Sequence, residues 1–436
     1  MQFKEYPSYK NSGVEWLGDV PSDWHVKRFG YIFSENKTKN RGLIENNVLS
    51  LSYGNIKEKN VEDNKGLLPE SFETYQLIEP NDIIFRFTDL QNDKRSLRSA
   101  ISNYKGIITS AYISVRTRQN AEYFNYLFRA YDLQKVYYSM GDGMRQSLKI
   151  DELNRMPITV PNQQIQTQIA NYLDQETQKI DTLIAKQEKL IELLEEQRKS
   201  VISHAVTKGL DPNAPMKDSG VEWLGDVPSH WKVTFIKYIT NKISSGKTPL
   251  GGAEVYTDHG VIFLRSQNIY NDGLRLDDVS FIPSEIHISM KSSTVKKNDV
   301  LLNITGGSIG RTCLVDRDIG DANVNQHVCI IRASKEKYSK WIAMFMKSNS
   351  AQAQISYSQT GAGREGLNFS QIANMRLPFP KVEEQEHILN FVSHENIKYD
   401  NLISKQQALI EKFKEYRASI ISHAVTGKID VRELVA

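Results

Sequence analysis

A 13-residue sentence appears twice in this chain. SGVEWLGDVPSDW runs from Ser12 to Trp24 and SGVEWLGDVPSHW from Ser219 to Trp231, differing only where Asp23 becomes His230. A second pair follows. DTLIAKQEKLIELLEEQRKSVISHAVTKGL begins at Asp181 and DNLISKQQALIEKFKEYRASIISHAVTGKI at Asp400. The first pair is offset by 207 positions and the second by 219, so the middle of the second copy is 12 residues longer. Constant ends around unlike middles mean two duplicated modules whose middles do different work. The period is far too long for a solenoid.

The chain has 436 residues, enough for two cores. With 39% apolar and 25% charged residues it reads as globular. No apolar run approaches 18 residues and MQFKEYPSYK has no signal-peptide core, so no membrane partner is expected. Cys313 and Cys329 are the only cysteines, which suits a reducing cytoplasm. The net charge of +3 is only mildly basic, so any DNA-binding charge must be concentrated on one face.

Each middle carries strand-length runs rich in β-branched and aromatic residues. These are VLSLSYGNI, DIIFRFTD and IITSAYISVR, then VIFLRSQNI, DVLLNITGG and VNQHVCIIRA. Asn81-Asp82 and Asn298-Asp299 are matching turns before a strand. After Pro161 and Pro380 the apolar period becomes 3.5. The seam is Ile180, Leu183, Gln187, Leu190, Leu194, Gln197, Val201 in the first copy. It is Tyr399, Leu402, Gln406, Leu409, Phe413, Tyr416, Ile420 in the second. Gln187 and Gln406 interrupt it at equivalent places, and a polar seam residue fixes register at a cost in stability. If the two helices pair antiparallel about a pseudo-twofold axis, these glutamines could meet.

The expected fold is α+β. Two tandem α/β domains related by a pseudo-twofold are separated by two long helices in an antiparallel coiled coil. The expected boundaries are 1–160 for the first domain, 161–207 for its helix and 208–218 for a linker. They continue as 219–379 for the second domain, 380–427 for its helix and 428–436 for a tail.

Catalytic motifs fail on inspection. Gly246-Lys247-Thr248 ends like a phosphate loop, but Asn241 stands where the first glycine is needed. Gly361, Gly363 and Gly366 fit GxGxxG without a preceding apolar strand. His204 and His423 sit one per module, which is packing or capping rather than a metal site. Asp277-Asp278 reads as a solvated turn. There is no HExxH, no Ser/His/Asp set, no nuclease signature and no Asn-Pro-Pro-Tyr-like methyltransferase loop. Tyr53, Tyr112, Tyr137 and Tyr138 read as core. The chain is therefore expected to carry no catalytic residue and no metal, and a self-contained nuclease is the disfavoured enzyme reading.

Two readers joined by helices of about 60 Å suit DNA, whose major groove returns every ~34 Å along one side. The doubled opening segment, the two helices and the Gly-x-Gly stretches (Gly141, Gly143; Gly361, Gly363) resemble the specificity subunit of Type I restriction-modification systems. The likeness spans the chain. It implies target-recognition domains that read a split site in double-stranded DNA. It implies docking of two modification subunits, which use S-adenosylmethionine to methylate adenine. Two restriction subunits, which use ATP and Mg, can join them. This chain would bind no cofactor itself. Candidate DNA contacts are Lys57, Arg86, Lys94, Arg95, Arg98 and Arg145 in the first domain. In the second they are Lys247, Arg265, Asn268, Lys291, Arg311 and Arg364. The alternative is a coiled-coil scaffold that ignores DNA, which gives no reason for such unlike middles.

Overall fold

The computed structural model describes residues 3–60, 71–88, 97–140, 147–359 and 366–434. The chain forms two compact units. The first comprises Met1–Glu188 and Gln407–Ala436, and the second Lys189–Gln406. The two long helices, Gln163–Lys208 and Val382–Val425, are thus each divided between both units. At 1.5 Å per residue they are about 69 and 66 Å long.

Both units are built on the same sheet. In the first, the order is Phe33–Glu35, Ile113–Thr117, Ile83–Phe85, Ser99–Ile101, with every neighbouring pair antiparallel. In the second it is Thr240–Ser245, Val328–Ala333, Val300–Asn303, Thr312–Leu314, again antiparallel throughout. The matched Asn-Asp turns lie before the third strand in this order. Asn81 and Asn298 are left-handed, with φ of 72° and 68°, a conformation asparagine tolerates better than most residues. The aspartates that follow are buried. Asp82 binds Arg116 at 2.6 Å and accepts the Glu79 N–H. Asp299 binds Arg332 at 2.7 Å and accepts the Lys296 N–H.

What surrounds the sheets differs. The first unit adds a hairpin, Leu49–Ser52 with Asn55–Glu58, so VLSLSYGNI is two strands and a turn. IITSAYISVR likewise breaks into Gly106–Ile108 and Ile113–Thr117. The second unit adds a three-stranded sheet in which Val261–Leu264 pairs parallel with Ala322–Val324 and antiparallel with Ser280–Ile282.

The duplicated segments have a packing explanation. In the first unit, Leu17, Val20 and Trp24 join one core with Ile420, Ile421, Ala424 and Val425 from the end of the second long helix. In the second unit, Leu224 and Trp231 join Ala205 and Val206 from the end of the first long helix. Each helix end therefore closes the opening segment of the other copy. Lys428 donates to the Asp19 carbonyl and Lys208 to that of Asp226. The Lys-Gly order is swapped between the copies, yet both amines reach the same turn. Gly209 and Gly427, with φ of 79° and 73°, end the two helices in the left-handed conformation that glycine supplies freely. The one substitution within the repeat is compensated locally. His230 lies 3.0 Å from Glu384, which also accepts the Trp231 indole N–H. At the helix starts, buried Gln166 and Gln385 fold back onto the carbonyls of Pro161 and Pro380.

Within each unit the helix segments run antiparallel. In the first, Asp181 pairs with Arg417 at 3.1 Å, Glu188 lies beside Gln407–Glu411, and Thr159, just before the helix, bonds the Val425 carbonyl. In the second, Arg198 pairs with Asp400 and lies over the Tyr399 ring. These two ion pairs are equivalent under the 219-residue offset. The seam differs from the expected one at alternate positions. Leu183, Leu190 and Leu402 are exposed, while Ile184, Ile191 and Ile403 turn inward, as do Arg198 and Arg417 in place of Gln197 and Tyr416. Ile180, Gln187, Leu194, Tyr399, Gln406 and Phe413 hold their expected places on the inward stripe. Among the described residues no helix is long and apolar enough to cross a membrane.

Candidate nucleic-acid interface

The first and third strands of each sheet run in the same direction, so both end toward the same edge. In the second unit this edge gathers Gly246–Thr248, Ile304–Arg311 and Asn325–His327. Gly246 N–H donates to the Asn325 carbonyl, Thr248 Oγ1 to Gln326 Oε1, and Ile304 N–H to the His327 carbonyl. A Cβ on Gly246 would lie 1.5 Å from the Val324 carbonyl oxygen, so glycine is required for close approach and not for phosphate. The strand before it leads to a loop and a short 3-10 turn, Gly252–Val255, instead of the helix a phosphate loop needs.

Of the candidates in this unit, Lys247 and Arg311 are exposed on that edge. Arg265, half-buried at the end of Val261–Leu264, lies 5.7 Å from the Tyr256 ring centre. Asn268 is a correction. It is 2% exposed, accepts the Arg265 N–H and donates to the carbonyls of Arg275 and Asp278, so it builds its own loop and has nothing left for a base. Lys291 is exposed but sits on a turn beside the opposite end of Val300–Asn303, where Arg332 meets Asp299 and the Thr294 carbonyl. Arg364 lies outside the described residues.

In the first unit Arg86 leaves the third strand half-buried, and its N–H donates to the Arg98 carbonyl. The same bond links Asn303 to Arg311 in the second unit, so Arg98 and Arg311 hold equivalent places before the fourth strand. Their side chains part company. Arg311 faces solvent, whereas Arg98 is 0% exposed, its guanidinium donating to the Thr88 carbonyl. Arg98 is thus a structural residue, contrary to expectation. Lys57 is exposed on the hairpin whose tip, Tyr53-Gly54, lies against Leu97. Tyr53 is no core residue: it is 75% exposed with φ of 49° in the hairpin turn. Lys94, Arg95 and Arg145 lie outside the described residues, as do Gly141, Gly143, Gly361 and Gly363.

The Arg98 backbone N–H donates to Asp132, whose carboxyl is pushed up to about 6 by burial, against that bond and the nearby charges of Lys135, Arg98 and Arg129. The folded state therefore holds this proton more tightly than the unfolded chain, where an aspartate titrates near 3.9. The resulting stabilisation is complete below about pH 4 and is lost as pH rises through 6. Asp132→Asn, which keeps an acceptor for the N–H, is expected to flatten this part of the stability profile. Above pH 6 it should stabilise the first unit by about 2 kcal/mol. Urea titrations at pH 5 and 8 measure this; equal destabilisation at both would show a carboxylate that is needed.

Sequence reasoning passed over Tyr270 and Arg275. They flank Asn271-Asp272-Gly273, a hairpin signal that would have placed them together. It also passed over a groove of about 1100 Å³ in the second unit. Four lysines (Lys335, Lys337, Lys340, Lys347) and four acidic residues share its wall, so its charge is balanced. Cys313 lies in the same wall with its thiol pushed up to about 12 by burial, which leaves it protonated and unreactive.

A family model described as the Type I restriction modification DNA specificity domain matches residues 228–412. The Type I restriction enzyme MjaVIII specificity subunit of Methanocaldococcus jannaschii is 25% identical across all of this chain and 99% of its own length. The EcoBI specificity subunit of Escherichia coli is 28% identical over 60% of this chain and 56% of its own. Two solved structures share the fold at 13% identity. A chain from a study of complex assembly and conformational transition of the type I R-M system has a TM-score of 0.64, covering 93% of this chain and 98% of its own. The HsdS subunit from Thermoanaerobacter tengcongensis has a TM-score of 0.50, covering 94% and 98%.

Proposed function

We propose, from the premise that this chain belongs to the specificity subunits of Type I restriction-modification systems, that each unit reads one half of a split target in duplex DNA. The observation that supports a half-site per unit is the shared sheet with unlike loops at one edge. A common frame presents Lys247, Arg265 and Arg311 in one unit and Arg86, with Lys57 on the neighbouring hairpin, in the other. The long helices set the unread gap between the half-sites, and Gln187 and Gln406 fix their register.

The chain supplies address and scaffold, with no catalytic group and no cofactor of its own. The duplicated opening segments and helices dock two modification subunits, which bring S-adenosylmethionine and methylate adenine. Two restriction subunits add ATP- and Mg-dependent cleavage. The assembly works in the cytoplasm. Identical docking surfaces explain identical sentences, and unlike half-sites explain unlike middles.

Co-expression with the modification subunit in a methylation-free host, followed by mapping of modified adenines, tests this. The expected result is a two-part motif with one fixed gap. A soluble complex that leaves the genome unmodified and shows no salt-dependent binding to duplex DNA would overturn it in favour of a scaffold.

A further inference from the structure

Tyr270 ends the first strand of a two-residue hairpin, Ile269–Tyr270 with Gly273–Leu274. Its cross-strand partner is Gly273, so no side chain covers the ring from across the hairpin. Two arginines do so instead. The guanidiniums of Arg275 and Arg311 each lie 5.0 Å from the ring centre, so they are no further apart than twice that distance.

The arrangement is braced from below. Asn271 Oδ1 accepts the N–H of Thr312, which ties the hairpin to the strand that Arg311 precedes. The Arg275 N–H donates to the Asn268 carbonyl, and buried Asn268 returns a bond to the Arg275 carbonyl. Asp272 holds the Arg275 guanidinium at 2.5 Å. Asp272 bonds Arg275 and Asp277 acts on it at longer range, whereas among the described residues no carboxylate is bonded to Arg311; both guanidiniums are solvent-accessible. Holding like charges together costs energy that exposed cation–π contacts return only in part. A bound anion would offset the rest, and the planar fork of arginine suits phosphate oxygens.

We propose that Tyr270, Arg275 and Arg311 form a clamp for a DNA-backbone phosphate that positions the second unit on its half-site without reading bases. The proposal rests on the DNA-reading function above. Arg275 and Arg311 make the contact, and Tyr270 is a positioning residue that spaces them. Phosphate contacts fix orientation and carry no sequence information directly.

The test uses the full chain in complex with its modification subunit, on duplexes with and without the mapped target, titrated across salt. Arg311→Gln is expected to weaken binding roughly 10-fold on both duplexes and to lower the slope of log K against log salt by about 1. Arg311→Lys should restore the slope while recovering only part of the affinity. Tyr270→Leu, which keeps apolar bulk, should weaken binding in the same direction, and adding it to Arg311→Gln should cost little more. The mapped methylation motif should not change. Unchanged affinity and slope would overturn the clamp while leaving the DNA-reading function intact. A changed second half-site would overturn it in favour of base reading. Loss of the modification subunit with DNA binding retained would make the cluster a protein-docking surface. A wild-type complex with no salt-dependent DNA binding would instead remove the reading on which the clamp rests.

Discussion

A chain cut after residue 210 is expected to purify as a dimer and never as a folded monomer. The first unit takes Ile420, Ile421, Ala424, Val425, Ile429 and Val431 into its own core from the far end of the sequence. Each large aliphatic side chain is worth about 1.5–3 kcal/mol when buried, so losing five of them costs on the order of 10 kcal/mol. A typical domain has about 5–15 kcal/mol of stability in total. The cut would also strip Tyr123 and Thr159, both buried, of the Val425 carbonyl that accepts their hydroxyl protons. A second copy can fill the gap. Val201, Ile202, Ala205, Val206 and Leu210 stand 219 positions before Ile420, Ile421, Ala424, Val425 and Ile429. Two copies exchanging helix ends would restore both cores and create a true twofold axis. The complex should then methylate an inverted repeat of the first half-site. Light scattering gives the mass and adenine mapping the motif. A folded monomer, or an asymmetric motif, would refute this.

Asp299→Ala is expected to cost the second unit about 3 kcal/mol. The aspartate side chain is 1% exposed and receives two bonds of 2.7 Å from Arg332, plus the Lys296 N–H that shapes the left-handed turn at Asn298. Removing it strands a guanidinium that is only 25% exposed and opens the turn. Breaking a buried pair from one side costs about 3–5 kcal/mol. Asp82→Ala in the first unit should cost less, about 2 kcal/mol, because Arg116 is 44% exposed and can turn to water. Chemical denaturation of each variant measures the difference. Equal losses, or losses below ~1 kcal/mol, would mean the pairs merely decorate turns fixed by asparagine.

The duplication, the Asn-Asp turns and the two helices were legible because each is a local pattern written twice. The seam was legible only in part. At 183–184, 190–191, 402–403 and 409–410 two apolar residues stand side by side, so a 3-4 and a 4-3 spacing are equally apolar. Burial decides for the second residue at the first three of these pairs, and the choice brings Arg198 and Arg417 inward to meet Asp400 and Asp181. The candidate DNA contacts were the least legible. Arg98 and Arg311 hold the same register position, yet one is buried and the other faces water. In the first unit Asp132, 34 residues further along on the helix Ala121–Leu133, takes the Arg98 backbone N–H. Distant packing of this kind leaves no trace in the residues around an arginine.

The shared cores also order events in time. The second unit is one continuous stretch, Lys189–Gln406, whereas the first must wait for the residues after Gln407. Translation at about 5–20 residues per second separates Val160, at the end of the first unit's strands, from Ile420 by roughly 10–50 s. Throughout that interval the opening segment around Trp24 has no helix end to close it. The module that leaves the ribosome first is therefore the last to be sealed.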